Sequence, residues 1–138
     1  MNRVLIVDDD KLTAEILSML LSARGYKVVC EHDSQAALTD LQRSNFDAVL
    51  LDLSVSGGEG IEILRSLPKD RVPIMLFTAV SEDRINIVLR EFPNLAVIRK
   101  PATLEEINAE IERRLSERSP KKEHPPSVSI QPDSIQKQ

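Results

Sequence analysis

The sequence predicts an α/β protein with a doubly wound parallel sheet of five strands and helices on both faces. Short apolar runs alternate with amphipathic stretches along residues 1–118, and this alternation occurs five times. The runs are rich in β-branched residues and apolar at successive positions, which is typical of strands covered on both faces. The stretches between them carry apolar residues at helical spacing, as crossover helices do.

Each predicted strand is followed by one predicted helix. The strands are assigned to residues 4–7, 28–30, 48–51, 74–77 and 95–98. The helices are assigned to residues 12–24, 36–43, 61–67, 85–91 and 104–115. Gly25 closes the first helix, Ser34 caps the second, and Thr103 with Glu106 forms a capping box before the fifth.

Composition limits the classes of partner. The chain has 138 residues, which suits a single folded domain, and a formal net charge of −4. This negative net charge provides no basic field for nucleic acid. Aromatic residues make up only 3% of the chain, which is too few for a stacking platform for bases. We therefore expect no direct nucleic acid binding by this domain.

Cysteine usage and hydropathy bear on the cellular compartment. Cys30 is the only cysteine, which excludes an internal disulfide and a CxxC metal site. No apolar run is long enough to cross a bilayer or to act as a signal peptide. These features predict a cytoplasmic protein without membrane association.

Residues 119–138 differ in character from the residues before them. They hold half of the 8 prolines and almost no apolar side chains. Such a composition cannot bury enough apolar surface to order a chain. We expect a folded domain over residues 1–118, followed by a disordered tail or a linker to another domain.

Polar residues follow four of the predicted strands at the point where each strand ends. They are Asp8, Asp9 and Asp10 after the first strand, Asp52 after the third, Thr78 after the fourth and Lys100 after the fifth. Because the carboxyl ends of parallel strands open on one edge of the sheet, we expect these side chains to converge there.

The acid cluster predicts a metal site. Crowded carboxylates repel one another and would take up protons unless a cation neutralises them. Mg²⁺ is the predicted cation, because it takes oxygen ligands and is usually held by one or two carboxylates with waters and a phosphate. We interpret Asp10 as an acid of the first helical turn, where it favours the helix dipole.

Asp52 is the predicted nucleophile. It ends its strand alone, beside the acids and opposite Thr78 and Lys100, as phosphoryl transfer to an aspartate requires. A carboxylate is already ionised at neutral pH and needs no general base. Lys100 and the metal would screen the incoming negative charge, and Thr78 would offer its hydroxyl to a phosphoryl oxygen.

These residues resemble the receiver domain of bacterial two-component response regulators. The resemblance covers residue 2 to about residue 115 and implies a flavodoxin-like sheet with strand order 2-1-3-4-5. It rests on four separated motifs, which are the acid pair Asp8-Asp9, FDAVLLDLS around Asp52, LFTA around Thr78, and RKP around Lys100.

The resemblance implies a signalling switch rather than an enzyme with a separate substrate. Asp52 would accept a phosphoryl group from a sensor histidine kinase, a phosphotransfer protein or a small phosphodonor. Asp9, Asp52 and the backbone carbonyl of Ser54 would bind Mg²⁺ directly, and Asp8 would act through water. The surface of the fourth helix, fifth strand and fifth helix would then control a protein partner or fused effector, with homodimerisation as one form of that control.

Lys100 and Val97 bear on how this switch would work. The resemblance implies that Lys100 pairs with the phosphoryl group and that a cis peptide precedes Pro101. Val97 stands where the family usually has a Tyr or Phe switch side chain. We expect a switch that moves Thr78 and repacks the output surface, which is the surface of the fourth helix, fifth strand and fifth helix. No aromatic side chain would rotate at position 97.

Two further positions depart from the usual pattern and bear on the lifetime of the phosphorylated state. Ser54 and Val80 lie two places after Asp52 and Thr78, where family members guide the attacking water. Neither orients water as an amide or a carboxylate would. We therefore expect slow self-dephosphorylation.

Two loops have purely structural interpretations. Residues 57–60, GGEG, lack the spacing and the lysine of a phosphate-binding loop and are interpreted as a turn. His32 and Asp33 are interpreted as part of a solvated loop.

Two alternative functions stay open on the sequence. A phosphohydrolase of the haloacid dehalogenase type would use Asp8 as its nucleophile, although Leu12 occupies the position where that family has Thr or Val. A pseudo-receiver would bind partners without being phosphorylated. Labelling by acetyl phosphate separates these functions from a receiver.

Overall fold

The computed structural model describes residues 2–54, 60–67 and 72–123, with only the backbone of residues 118–123. In these parts strand and helix alternate five times, which confirms the predicted pattern. The elements are β1 (Arg3–Val7), α1 (Lys11–Ala23), β2 (Lys27–Glu31), α2 (Ser34–Arg43), β3 (Ala48–Leu51), α3 (Gly60–Ser66), β4 (Ile74–Thr78), α4 (Glu82–Glu91), β5 (Ala96–Arg99) and α5 (Leu104–Glu123).

The five strands form one parallel sheet in the order β2-β1-β3-β4-β5, as predicted. Val7 at the end of β1 pairs with Glu31 of β2 on one side and with Leu51 of β3 on the other. The winding direction reverses between β1 and β3, and doubly wound sheets form their ligand crevice at such a point. The residues that follow β1 and β3 therefore lie side by side at this crevice.

The core has two layers because successive strand residues point to opposite faces of the sheet. One layer packs under α1 and α5 and contains Val4, Ile6, Ala48, Leu50, Met75 and Phe77. The other packs under α2, α3 and α4 and contains Leu5, Val7, Val49, Leu51 and Leu76. Every residue of β3 is buried, which explains its continuous apolar run.

Helix boundaries confirm most of the predicted caps and correct one. The Thr103 N–H donates to Glu106 Oε1 at 2.8 Å and the Glu106 N–H to Thr103 Oγ1 at 3.1 Å, so the capping box is confirmed. The prediction that Ser34 caps α2 was wrong, because Ser34 is the first residue of the helix. Asp33 caps the helix by accepting the Ala36 N–H at 2.9 Å, and therefore does more than line a solvated loop.

Helix α5 continues well beyond its predicted end at residue 115. It spans 20 residues and ends at Glu123. Residues 124–138, most of the predicted tail, lie outside the described residues, so the boundary at residue 118 stays a prediction. Of the helices described, none is both long enough and apolar enough to span a bilayer, and the cytoplasmic location stays a prediction.

Glu31, the last residue of β2, makes stability depend on pH. A hydrogen bond with the Asp40 carboxyl, burial and the negative charge of Asp40 raise the pKa of Glu31 from 4.5 to about 7. The folded state therefore binds a proton more tightly than the unfolded state. Stability that is present below pH 4.5 should be lost as the pH rises through about 7.

We expect the Glu31→Gln variant to lose this pH dependence, because its side chain stays neutral at every pH. Urea denaturation at several pH values between 4.5 and 7 should give a flatter stability curve for this variant than for the wild type. Glu15→Gln, at an exposed position of α1, is the matched control and should follow the wild-type curve. Parallel curves for the wild type and Glu31→Gln would contradict the prediction.

Candidate functional site

The carboxyl ends of β1, β3, β4 and β5 bring the predicted polar residues to one edge of the sheet. The Asp52 N–H donates to the Val7 carbonyl at 2.9 Å, which places Asp52 beside Asp8 at the ends of the two central strands. The Lys100 N–H donates to the Thr78 carbonyl at 3.0 Å, which joins β4 and β5 in the same way. The predicted convergence is therefore present.

Lys100 connects the two buried acids of the site. Its Nζ lies 2.6 Å from Asp8 Oδ2 and 3.1 Å from Asp52 Oδ2. Asp8 is 2% exposed and Asp52 is 6% exposed, so this cation offsets two charges that water hardly reaches. The Nζ also lies 5.2 Å from the centre of the Phe77 ring. The peptide between Lys100 and Pro101 is cis, as the resemblance implied.

Asp52 has a full set of hydrogen-bond donors. Its Oδ1 accepts the Thr78 hydroxyl at 2.8 Å and the Ser54 N–H at 3.1 Å, and its Oδ2 accepts Lys100. Burial raises the pKa of Asp52, but these hydrogen bonds and the charge of Lys100 together outweigh it and leave the pKa below the usual value. Asp52 is therefore ionised at neutral pH, as a nucleophile must be.

Asp8 differs from Asp52 although both contact Lys100. Burial raises the pKa of Asp8, and the lowering by Lys100 and by the Asp10 N–H, which donates to Asp8 Oδ1 at 3.0 Å, does not fully offset it. Burial lowers the pKa of Lys100, but its bonds with the two carboxylates overcome this effect and raise the pKa. Of the two buried acids, Asp52 holds its negative charge more readily.

Three acids of the site, which we call the metal cluster, are suited to bind a hard divalent cation. Asp8, Asp9 and Asp52 each offer an oxygen, and these oxygens lie within 4.8 Å of one another. Asp9 is exposed at the rim while the other two are buried, so a cation held here would keep an open side for water and phosphate. The Ser54 N–H donates to Asp52, which places Ser54 next to these acids. That the Ser54 carbonyl binds the metal stays a prediction.

Asp10 does not join the cluster with its side chain. Its carboxylate accepts the Thr13 N–H at 3.2 Å and the Thr13 hydroxyl at 2.8 Å, which caps α1. These hydrogen bonds lower the pKa of Asp10. The prediction that Asp10 serves the first helix is confirmed, and the role is that of the N-cap residue.

Sequence reasoning missed two residues of the site. His32 is half-buried, with its ring Nδ1 3.0 Å from the Asp8 carbonyl oxygen, so its interpretation as a solvated residue was wrong. Gly60 is the first residue of α3, while residues 57–59 of the predicted turn lie outside the described residues. A Cβ at Gly60 would lie 2.9 Å from the Asp52 carbonyl oxygen.

Gly60 is a glycine because the backbone of the site passes directly against α3. The same Cβ would also lie 2.9 Å from Leu53 Cα, and backbone atoms cannot move aside as side-chain ends do. We expect Gly60→Ala to lower the free energy of unfolding by about 1–3 kcal/mol and to slow phosphorylation by acetyl phosphate, because Asp52 is displaced. Urea denaturation and labelling rates measure the two effects.

Gly25→Ala is the matched control for Gly60→Ala. Gly25 has a φ of 98°, which a side chain rarely adopts, but no atom lies within 4 Å of the position of its Cβ. The control should lose stability through backbone strain and label at the wild-type rate. Equal labelling rates for both variants would refute the role given to Gly60.

Comparison with known proteins agrees with the fold. The model of the response regulator receiver domain family matches residues 4–112. The DNA-binding response regulator MtrA of Mycobacterium leprae is 37% identical over 115 residues, which are 82% of this chain and 51% of the relative. MtrA of Mycolicibacterium smegmatis is 36% identical over 115 residues, with 82% and 50% covered. The chain thus spans about half the length of these curated relatives.

Solved structures give the same answer for the fold. A CheY-like receiver domain protein from Methanospirillum hungatei has a TM-score of 0.79 at 24% identity, covering 85% of this chain and 95% of that one. TrrA of Thermotoga maritima, solved in complex with Mg²⁺ and BeF, has a TM-score of 0.73 at 26% identity, covering 83% and 99%.

The comparisons correct one expectation about partners. The absence of direct nucleic acid binding, expected from composition, is contradicted by relatives that are named DNA-binding response regulators. The charge and aromatic content of an acidic domain carry no information on the half of those relatives that this chain does not match. Composition therefore did not justify the exclusion.

The match also bears on one of the alternative functions that the sequence left open. Receiver domains are signalling proteins, which disfavours the phosphohydrolase alternative. The family model covers the strand ends that carry Asp8, Asp52, Thr78 and Lys100. With 109 of its residues, from 4 to 112, inside that model, this chain belongs to the response regulator receiver domain family.

Proposed function

We propose that this chain is a phosphorylation-activated switch, with residues 1–118 as the receiver domain and Asp52 as the residue that accepts the phosphoryl group. One observation supports it most directly. The Asp52 carboxylate is buried and held ionised between Thr78 and Lys100, next to two further acids that can hold Mg²⁺. A buried acid with this many donors is poised for attack on a dianionic group rather than for a structural ion pair alone.

The proposed reaction transfers a phosphoryl group from a phosphohistidine or a small acyl phosphate. A carboxylate oxygen of Asp52 attacks phosphorus, the bond from phosphorus to the donor breaks, and the donor keeps the electron pair. Lys100 screens the negative charge of the phosphoryl oxygens, and the Thr78 hydroxyl turns from Asp52 to one of them. Bound Mg²⁺ would neutralise further charge there, held by Asp9, Asp52 and the Ser54 carbonyl, with Asp8 acting through water.

Mass spectrometry after incubation with acetyl phosphate tests this function. With Mg²⁺ present, we expect one phosphoryl adduct per chain, mapped to the peptide that contains Asp52, and little adduct when the metal is chelated. A phosphohydrolase would instead release phosphate continuously through Asp8. A chain that forms no adduct would be a pseudo-receiver, and the proposal would be withdrawn.

An exposed apolar surface on α1 provides a place for the phosphodonor protein to bind. This surface, the α1 face, consists of Leu12, Ile16, Met19 and Leu20, of which Leu12 is 67% and Met19 72% exposed. The spacing places all four on one side of the helix, which begins one residue after Asp10. Apolar patches of this kind mark interaction sites. We propose that a sensor histidine kinase or phosphotransfer protein covers it.

The Ile16→Arg variant tests the α1 face. We expect slower phosphotransfer from the cognate histidine-phosphorylated protein and unchanged labelling by acetyl phosphate, which needs no docking surface. Ile87→Arg, at an exposed apolar position of α4, is the matched control and should transfer normally. Equal rates for the two variants with the protein donor would contradict the proposed docking surface.

The proposed output is a change in the surface of α4, β5 and α5. Val97 is half-buried on β5 among core side chains, so no ring is available there to swing between two positions. The names of the curated relatives support a DNA-binding effector as the target of this change, with homodimerisation as one route. Structures with and without beryllofluoride and Mg²⁺ test this, and an unchanged surface would count against it.

We predict slow self-dephosphorylation, because neither Ser54 nor Val80 orients water. Ser54 is exposed and linked to Asp52 through its N–H, and Val80 packs against the core. Replacing them together, Ser54→Asn with Val80→Glu, should shorten the phosphorylated lifetime roughly tenfold or more. Loss of label over time, followed side by side after removal of the donor, measures the effect. A double variant that loses phosphate at the wild-type rate would refute the prediction.

A further inference from the structure

We propose that His32 is a positioning residue for the acid pair, Asp8 and Asp9. Its ring Nδ1 lies 3.0 Å from the Asp8 carbonyl oxygen. A carbonyl oxygen only accepts hydrogen bonds, so Nδ1 must carry the proton and donate it. The bond therefore holds the peptide group between Asp8 and Asp9. This inference rests on the proposed function, in which both carboxylates serve the Mg²⁺ site.

The Asp8 carbonyl lies where the sheet ends and needs a donor from elsewhere. The paired register of β1 and β2 ends with Val7 and Glu31, and the Asp8 N–H donates to the Glu31 carbonyl at 3.0 Å. In an extended strand the N–H and C=O of one residue face the same neighbour. The Asp8 carbonyl thus faces the point where the chain leaves β2 for α2, and the His32 ring reaches it there.

The chain on both sides of His32 is fixed, so the ring is held in place before any ligand arrives. On one side the Glu31 carbonyl accepts the Asp8 N–H. On the other side Asp33 caps α2 through the Ala36 N–H, and Ser34 is buried. A half-buried ring on such a rigid connection loses little entropy when it forms its hydrogen bond.

Asp9 is the residue that depends on this bond. The buried carboxylate of Asp8 is oriented by Lys100 and by the Asp10 N–H. The peptide group that His32 holds ends at the Asp9 nitrogen, so its orientation helps to set where the exposed Asp9 side chain starts. Groups that orient metal ligands typically change metal affinity about 10–100-fold when removed. Loss of the His32 donor should therefore weaken Mg²⁺ binding more than it weakens the fold.

Three substitutions of His32 separate a positioning role from simple packing. In His32→Asn the amide nitrogen occupies nearly the place of Nδ1, so the bond to Asp8 is retained. In His32→Gln the amide nitrogen lies nearer the place of Nε2, and in His32→Leu there is no donor. All three are measured in the intact chain at one pH, with urea denaturation to compare their stability.

We expect His32→Gln and His32→Leu to weaken Mg²⁺ binding about tenfold, and His32→Asn to bind Mg²⁺ within about threefold of wild type. The metal-free protein gives a second readout, because the ¹³C shift of the Asp8 carbonyl should move in the Gln and Leu variants and not in the Asn variant. Equal effects of Asn and Gln, or no shift change in any variant, would overturn the inference. A wild type that forms no adduct at Asp52 would overturn the proposed function, whatever the carbonyl shifts show.

Discussion

Asp52→Asn is expected to abolish acceptance of the phosphoryl group while the fold is retained. The amide has nearly the shape of the carboxylate, and its oxygen can still accept the Thr78 hydroxyl and the Ser54 N–H, which lie 2.8 and 3.1 Å from Asp52 Oδ1. An amide is not a nucleophile at neutral pH, so no acyl phosphate forms. Phosphate-affinity electrophoresis after treatment with acetyl phosphate and Mg²⁺ should show a shifted band for the wild type and none for Asp52→Asn.

Asp10→Asn is the matched control, because it also removes one carboxylate from the same end of the sheet. Asp10 caps α1 through Thr13, and Asn is an equally good cap. Its labelling should equal that of the wild type. A residual adduct in Asp52→Asn that maps to Asp8 would contradict the assignment and support the phosphohydrolase alternative.

Among the variants proposed here, Lys100→Met is expected to lower the free energy of unfolding the most. Lys100 Nζ lies within 3.1 Å of both Asp8 and Asp52, and its removal leaves two buried carboxylates facing each other. Removing one partner of a buried ion pair lowers the free energy of unfolding by about 3 kcal/mol, because the charge of the remaining partner is uncompensated. Urea denaturation at neutral pH without divalent cations measures this loss.

The pH dependence of this loss has a definite sign. The pKa of Asp52 is held below 3.8, so its ionised form contributes stability that is present above that pH and lost as the pH falls. Without Lys100 part of this contribution is missing, because only the Ser54 N–H and the Thr78 hydroxyl still favour the ionised form. The difference in the free energy of unfolding between variant and wild type should narrow as the pH falls towards 3.8. Mg²⁺ at a hundredfold excess over its Kd should return about 2.7 kcal/mol to a site that still binds it.

Two further variants complete the comparison. Lys27→Met removes an exposed lysine at the start of β2 and should leave stability nearly unchanged. Lys100→Arg keeps the positive charge and should lose much less stability than Lys100→Met. A Lys100→Met variant as stable as the wild type at neutral pH, without metal, would show that the ion pairs do not offset the burial of the two acids.

The same contacts suggest how phosphorylation would reach the output surface in the proposed switch. An esterified Asp52 oxygen is a weaker acceptor than a carboxylate, while the phosphoryl oxygens are stronger ones, so the Thr78 hydroxyl is drawn away from Asp52. The Val80 N–H lies 3.4 Å from that hydroxyl, and Ser81 caps α4 directly after it. In this switch, a shift of Thr78 would reach the start of α4 within three residues.

Local sequence patterns were enough to predict the fold and the convergence of four polar side chains at one edge of the sheet. Apolar runs and helical spacing arise from neighbours along the chain, and a parallel sheet brings all its carboxyl ends to one edge. Asp8, Asp52, Thr78 and Lys100 could therefore be placed together before any distance was known. Asp10 could be assigned to its helix for the same local reason.

Which atoms meet at that edge depends on how distant parts of the chain pack together. Lys100 lies 92 residues from Asp8 and 48 from Asp52, and its two ion pairs depend on the register and twist of the sheet. His32 looked like a loop residue because its partner is a backbone carbonyl, which leaves no mark in the sequence. Gly60 is required for a different reason than an unusual φ. The backbone of Asp52 and Leu53 lies too close to Gly60 to leave room for a side chain. Contacts of this kind depend on elements packed from distant parts of the chain, and local patterns do not contain them.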